Sequence, residues 1–153
     1  MQIIIIGVSG CGKTTVGQAL AKKDRIPWLS EIHQYMQSLE SQNKDGVVTC
    51  SGLKKLYRHI LLRGVESDDP NSQSSSKKCL NKSSVLFVLL HGKEETLQRR
   101  MDCRKDHFMP ASLLPSQLAT LEHPDDTEHY IIVDIDNTVD DIVSRIITAV
   151  QTS

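Results

Sequence analysis

The stretch Ile3-Ile4-Ile5-Ile6-Gly7-Val8-Ser9-Gly10-Cys11-Gly12-Lys13-Thr14 decides the fold. Gly7 to Thr14 meets the phosphate-binding template G-x-x-x-x-G-K-[ST] at each fixed position. Such a string carries weight only with a strand before it and a helix after it, and both are written here. Ile3 to Ile6 is an unbroken β-branched run, the pattern of a strand buried on both faces. Thr14 to Lys22 contains no Pro and sets Val16, Ala19 and Leu20 on one side, which predicts a helix. Between them the glycines allow a tight turn, so that successive backbone N–H groups and the positive end of the helix face the β- and γ-phosphates of a nucleoside triphosphate. Lys13 adds a mobile positive charge, and the Thr14 hydroxyl is placed for Mg²⁺ held mostly by phosphates and water. Cys11 inside the loop reads either as an oxidisable thiol or as a small residue filling a loop position.

Working outward, the chain of 153 residues has the length of one ordinary domain, 1–153, long enough to bury a core without disulfides. A net charge of -1 and a pI near 6.6 leave no basic excess, which argues against nucleic acid and anionic membrane as main partners and for a small-molecule substrate. The apolar runs fall far short of the roughly 20 residues that span a bilayer, and Met1 leads straight into a core strand rather than a cleavable signal. Cys11, Cys50, Cys79 and Cys103 are scattered with no C-x-x-C pair, as in reduced thiols of a reducing compartment. The expected location is cytoplasmic.

After the first helix the chain runs directly into a second helical pattern. Asp24 can cap it, Pro27 is tolerated in its first turn, and Leu29, Ile32, Met36 and Leu39 recur at three and four residues to about Gln42. His33 and Tyr35 on it read as packing or surface residues. Val47 to Cys50 is a second strand between the turn Asn43-Lys44-Asp45-Gly46 and Ser51-Gly52. The next helix is expected to bury Leu53, Leu56, Tyr57, Ile60 and Leu61 and to stop at Gly64. Lys54, Lys55 and Arg58 in its first turns oppose the helix dipole, and fit an anion site or a solvated basic face equally well. Glu66 to Ser84 is polar throughout and reads as a mobile loop. Val85 to Leu90 is the third strand, and Glu94 to about Arg104 a helix with acids first and bases last. Arg100 and Arg104 share a helical face and can grip a transferring phosphoryl group, or else complement the dipole. Tyr130 to Asp134 is the fourth strand. A capping-box-like start at Thr138 and Asp141 then opens a helix defined by Val139, Ile142, Val143, Ile146, Ile147 and Val150. The alternation predicts an α/β three-layer domain with a mainly parallel sheet, and sets Asp136-Asn137 near the carboxyl edge where ligands of such folds bind.

Four blocks carry a resemblance: Gly7 to Thr15, Asp24-Arg25-Ile26-Pro27-Trp28-Leu29, Cys50-Ser51-Gly52-Leu53-Lys54-Lys55-Leu56-Tyr57-Arg58, and Arg104-Lys105-Asp106-His107-Phe108-Met109. In this order, with Ser116-Gln117 and Thr120-Leu121-Glu122 extending the match, they resemble the gluconokinase family of P-loop sugar-acid kinases. The resemblance implies a three-layer P-loop kinase fold like that of shikimate and nucleoside monophosphate kinases, with ATP and Mg²⁺ as cofactors. The implied reaction moves the ATP γ-phosphoryl group to the 6-hydroxyl of D-gluconate. By the same carry-over Gly7, Val8, Ser9, Gly10, Cys11, Gly12, Lys13, Thr14 and Thr15 bind the nucleotide, Thr14 meets the metal, and Lys13, Arg100 and Arg104 are catalytic. A lid spans about 99–122, Ser51, Lys54 and His107 lie on the acceptor side, and a homodimer is implied.

Gly52 stands where the family usually has Ala and Leu118 where it has Phe, and the Ser-rich loop resembles the insertion of animal members. A larger departure lies between the first helix and D-R-x-P-W-L. There family members carry some tens of residues holding a second strand, an Asp-rich turn, a His and an Asn-Asp, none of which is present here. The expectation is therefore a shortened form with four strands, one edge strand missing, and impaired activity. The competing readings are a nucleotide-binding but catalytically silent protein and a shikimate- or nucleotide-type kinase on the same fold.

Overall fold

The computed structural model describes residues 1–8, 25–65, 80–103 and 111–152. In chain order these form β1 (Gln2–Ile6), α1 (Arg25–Ser41), β2 (Gly46–Thr49), α2 (Lys55–Arg63), β3 (Val85–His91), α3 (Glu94–Asp102), α4 (Leu114–Thr120), β4 (Tyr130–Asp134) and α5 (Val139–Gln151), with 3-10 turns at Lys82–Ser84 and Ala111–Leu113. The expected helix from Thr14 to Lys22 and its neighbour Asp24 lie outside the described residues.

The strands make one parallel sheet in the order β2-β1-β3-β4. Ile4 pairs with Val48 on one side and Phe87 on the other, so the isoleucine run is central and β2 and β4 are edges. The expected strand Val47–Cys50 begins and ends one residue earlier. Helices cover both faces, as continuous apolar strands require. On one face α1 and α2 bring Leu29, Met36, Ile60 and Leu61 against Ile4, Ile6, Phe87 and Leu89. On the other, Leu97 and Met101 of α3, Leu114 of α4 and Ile146 of α5 meet Leu86, Val88 and Val133. β3 feeds both clusters by simple alternation, which is why six of its residues in a row are buried.

On α1, His33 is buried and its Nδ1 donates to the Leu61 carbonyl of α2 at 2.8 Å, while Tyr35 lies on the surface. Gly64 ends α2 at φ 76°, with its N–H donating to the Ile60 carbonyl at 2.7 Å and the His33 ring so near that a Cβ would lie 3.1 Å from it. The capping box of α5 is present: the Thr138 hydroxyl accepts the Asp141 N–H at 3.2 Å and donates to the Asp141 carboxylate at 2.6 Å.

Three expectations are corrected. Leu56 is exposed, not buried: it lies two residues, about 200°, round the first turn from Arg58, and Arg58 is the residue that turns inward. On α5 Ile146 is buried and Ile142 and Val150 pack against the core, whereas Val139, Val143 and Ile147 remain exposed. This helix covers the edge strand β4, so part of its wide apolar stripe has no layer to face. The polar stretch read as a mobile loop gives way before Ser84: residues 66–79 lie outside the described ones, but Leu80 is buried in the core beside α2, and its N–H donates to the Leu62 carbonyl at 3.1 Å.

Candidate active site

Because all four strands are parallel, their carboxyl ends share one edge, where ligands of open α/β sheets bind. Gly7-Val8 leaves β1 there, Cys50-Ser51-Gly52 leaves β2, Gly92 leaves β3, and Ile135-Asp136 leaves β4. Gly7 sits at φ 147°, a conformation that side-chain-bearing residues rarely adopt, and Val8 folds back into the core. A central strand ending in a glycine of positive φ fits the start of a triphosphate-binding loop. Ser9, Gly10, Cys11, Gly12, Lys13, Thr14, Thr15, Arg104 and His107 lie outside the described residues.

Of the residues expected on the acceptor side, half-buried Ser51 follows Cys50, whose N–H donates to the Ile5 carbonyl of β1 at 3.1 Å. Gly52 has φ 44° and approaches β1 so closely that a Cβ would lie 2.5 Å from Ile6 Cγ2. The loop after β2 is thus pressed against the last residue of β1, immediately before Gly7. Lys54 is the N-terminal flanking residue of α2, with its ammonium 6.0 Å from the centre of the Tyr57 ring.

On the far side, the Arg100 guanidinium of α3 donates from Nη2 to the Ile135 carbonyl at 2.7 Å. Ile135 in turn donates its N–H to the His91 carbonyl at 2.8 Å and packs over Gly92, where a Cβ would come within 2.3 Å of it. Arg100 therefore reaches the same sheet edge from the β3–β4 side, half-buried.

At the start of α2, Arg58 and Lys55 are taken up by carboxylates of this chain, so neither stands free for a ligand anion. Arg58 is completely buried and grips Glu128 with two parallel bonds, Nε to Oε1 at 2.7 Å and Nη2 to Oε2 at 2.9 Å. Its Nη1 donates to the carbonyls of Gly52 at 3.0 Å and Glu122 at 2.9 Å. A guanidinium tolerates such burial when its donors are met, and the fork suits a carboxylate. Lys55 is also committed, with Nζ donating to Asp125 at 2.6 Å and its backbone N–H to Glu122 Oε2 at 2.6 Å. Glu122 thereby fills the capping role at α2 that no local side chain fills. Glu128 and Asp125 were missed by sequence reasoning, and no spacing rule joins them to residues 70 positions away.

The Lys55 ammonium, and after it the Thr127 hydroxyl and N–H, hold the Asp125 carboxyl well below the usual carboxylate range. A depressed folded value means that its contribution is present above the ordinary carboxylate pKa and is lost as pH falls through the folded one. Asp125 is exposed, so the effect is small and screened by salt. Asp125→Asn is expected to flatten the acid limb of thermal stability between about pH 5 and about pH 2. Parallel melting curves for the two proteins across that interval would show that the pair is stability-neutral.

No protein-family model matches the chain. A probable gluconokinase of Xenopus tropicalis is 39% identical over an alignment covering 95% of this chain and 91% of that protein. The alignment is 175 residues long, more than the 153 of this chain, so the relative carries residues with no counterpart here. That excess agrees with the shortening expected from the motifs. Among solved structures, an unliganded sugar kinase from a Janibacter species superimposes with a TM-score of 0.75 at 30% identity, over 98% of this chain and 94% of that one. A gluconokinase from Sinorhizobium meliloti does so with a TM-score of 0.70 at 30% identity, over 99% and 91%. No helix among the described residues is long and apolar enough to cross a membrane. The parallel sheet with Gly7 leaving its central strand is that of the P-loop kinase fold, and with relatives matched over nearly their whole length this chain belongs to the gluconokinase family.

Proposed function

We propose that this chain transfers the γ-phosphoryl group of ATP to the 6-hydroxyl of D-gluconate, giving ADP and 6-phospho-D-gluconate, more slowly than its longer relatives. The observation that carries the reading is the contact of Gly52 with Ile6, which brings the loop of the C-S-x-L-K-K block against the start of the phosphate loop. Donor and acceptor chemistry then meet at one sheet edge, and transfer is a matter of positioning and charge. Gly7 to Thr15 would cradle the triphosphate with backbone N–H groups, Lys13 would neutralise its terminal oxygens, and Thr14 would hold Mg²⁺. When bound, the metal would compensate part of the phosphate charge. Arg100 and Arg104 would steady the moving phosphoryl group, while Ser51, Lys54 and His107 bind the acceptor, with Lys54 suited to its carboxylate. The reading includes a cytoplasmic enzyme, supported by the scattered cysteines, and a homodimer, checked by sedimentation.

The test is an ADP-release assay with gluconate, run beside shikimate and nucleoside monophosphates. ADP release stimulated by gluconate alone is expected, and stimulation by another acceptor instead would replace the substrate. ATP binding without stimulation by any of them would favour the silent nucleotide-binding reading, which the shortening supports. Lys13→Ala is expected to cost tens-fold or more in ATP affinity or turnover, since a charge-assisted contact contributes about 1.5–3 kcal/mol. Unchanged values in the folded variant would remove Lys13 from this role. Arg100→Ala is expected to lower turnover per folded molecule at least tenfold, and to lower stability by about 1 kcal/mol through the lost bond to Ile135. Normal turnover with an early melt would make Arg100 a helix-terminus residue and nothing more.

A further inference from the structure

We propose that Arg58 is a positioning residue that joins the acceptor-side loop, Ser51–Lys54, to the segment following α4, Leu121–Glu128, as one unit. The inference rests on the gluconate reading for its kinetic meaning and on geometry for its existence. The bonds converge from three places: the guanidinium meets the Gly52 carbonyl, the Glu122 carbonyl and the Glu128 carboxylate, the last two 64 and 70 positions away in the chain. Glu122 returns the grip, its N–H donating to the Leu53 carbonyl at 2.7 Å and its carboxylate accepting the Lys55 N–H. Loop and segment are therefore sewn together on both sides of the buried fork.

Burial of a charged pair gains little stability over apolar packing of the same volume. What a planar fork with five donors adds is fixed direction, and here each direction matters. Gly52 lies between Ser51 and the end of β1, so a shift of its carbonyl moves the acceptor-side residues relative to the phosphate loop. Glu122 stands two residues beyond the end of α4 at Thr120, so displacement of the lid-side helix reaches the acceptor loop through the same guanidinium. Misplacement by about 1 Å typically costs about a hundredfold in rate.

The test uses Arg58→Lys in the full chain, which keeps the charge facing Glu128 but has no fork to bridge two carbonyls. Native-state amide exchange is followed at Lys55 and Glu122 and, for comparison, along β1 and β3. Exchange at the two clamp amides is expected to accelerate at least tenfold with the sheet amides unchanged. The KM for gluconate is expected to rise at least fivefold with the KM for ATP unaltered. Uniform acceleration across the sheet, unchanged clamp amides, or equal changes in both KM values would overturn the proposal. Should Arg58→Lys fail to fold, Glu128→Gln loosens the same clamp from its other side and is read in the same way. A parent protein without gluconate turnover rejects the activity assignment, and the exchange pattern alone then decides the clamp.

Discussion

Arg58→Met is expected to lower the free energy of unfolding by about 3–5 kcal/mol, the cost typical of removing one partner from a buried ion pair. The Arg58 side chain is entirely buried and that of Glu128 nearly so, at 6% exposure. Methionine fills most of the volume, which leaves the lost charge pairing and hydrogen bonding as the main cause. The Glu128 carboxylate would be left desolvated without its counterion, and the Gly52 and Glu122 carbonyls without their shared donor. Adding Glu128→Leu should recover part of the loss, because it removes the stranded charge, but not all of it, because the two carbonyls stay unmet. Urea unfolding of the single and double variants measures both quantities. A single-variant loss below about 1 kcal/mol would put this pair in the class of surface bridges.

Gluconate turnover by this chain is expected to be at least a hundredfold slower than that of a full-length relative. In-line transfer needs a carboxylate near the acceptor hydroxyl to take or orient its proton, and loss of such a group costs about 10²–10⁴. The resemblance implies that acid in the family's segment between the first helix and D-R-x-P-W-L, which this sequence is read as lacking. Among the described residues β2 is the sheet edge, with Val47 exposed, and the chain leaving its end at Thr49, Cys50-Ser51, offers no acid. Asp134 and Asp136 do stand at the carboxyl edge, but β4 is three strand spacings from β2, roughly 14 Å, too far to serve the same hydroxyl. An edge left open at β2 would also invite association, so concentration-dependent aggregation is expected beside the slow turnover. Near-normal phosphorylation by sequence-verified protein of this length would overturn the expectation and show that another carboxylate, Asp24 for instance, has taken over.

The parts of this structure that could be read from the sequence are those set by neighbours in the chain. A β-branched run buried on both faces announced β1, a period of three to four residues announced α1 and α5, and the Thr138–Asp141 pair announced the start of α5, since each pattern arises from backbone geometry within a few residues. The parallel α/β class followed from their alternation. Contacts between distant segments were a different matter. The tertiary structure alone decided that Arg58 is core rather than surface, because its burial depends on Glu128 and on the Glu122 carbonyl arriving from the other end of the chain. It also decided that Leu80 is core, that Leu56 and half of the α5 stripe face outward, and that Gly52 rests on Ile6. Hydrophobic periodicity says that a residue can be buried; whether it is depends on which layer arrives opposite it, and that is settled by the order of strands in the sheet and not by the residues on either side.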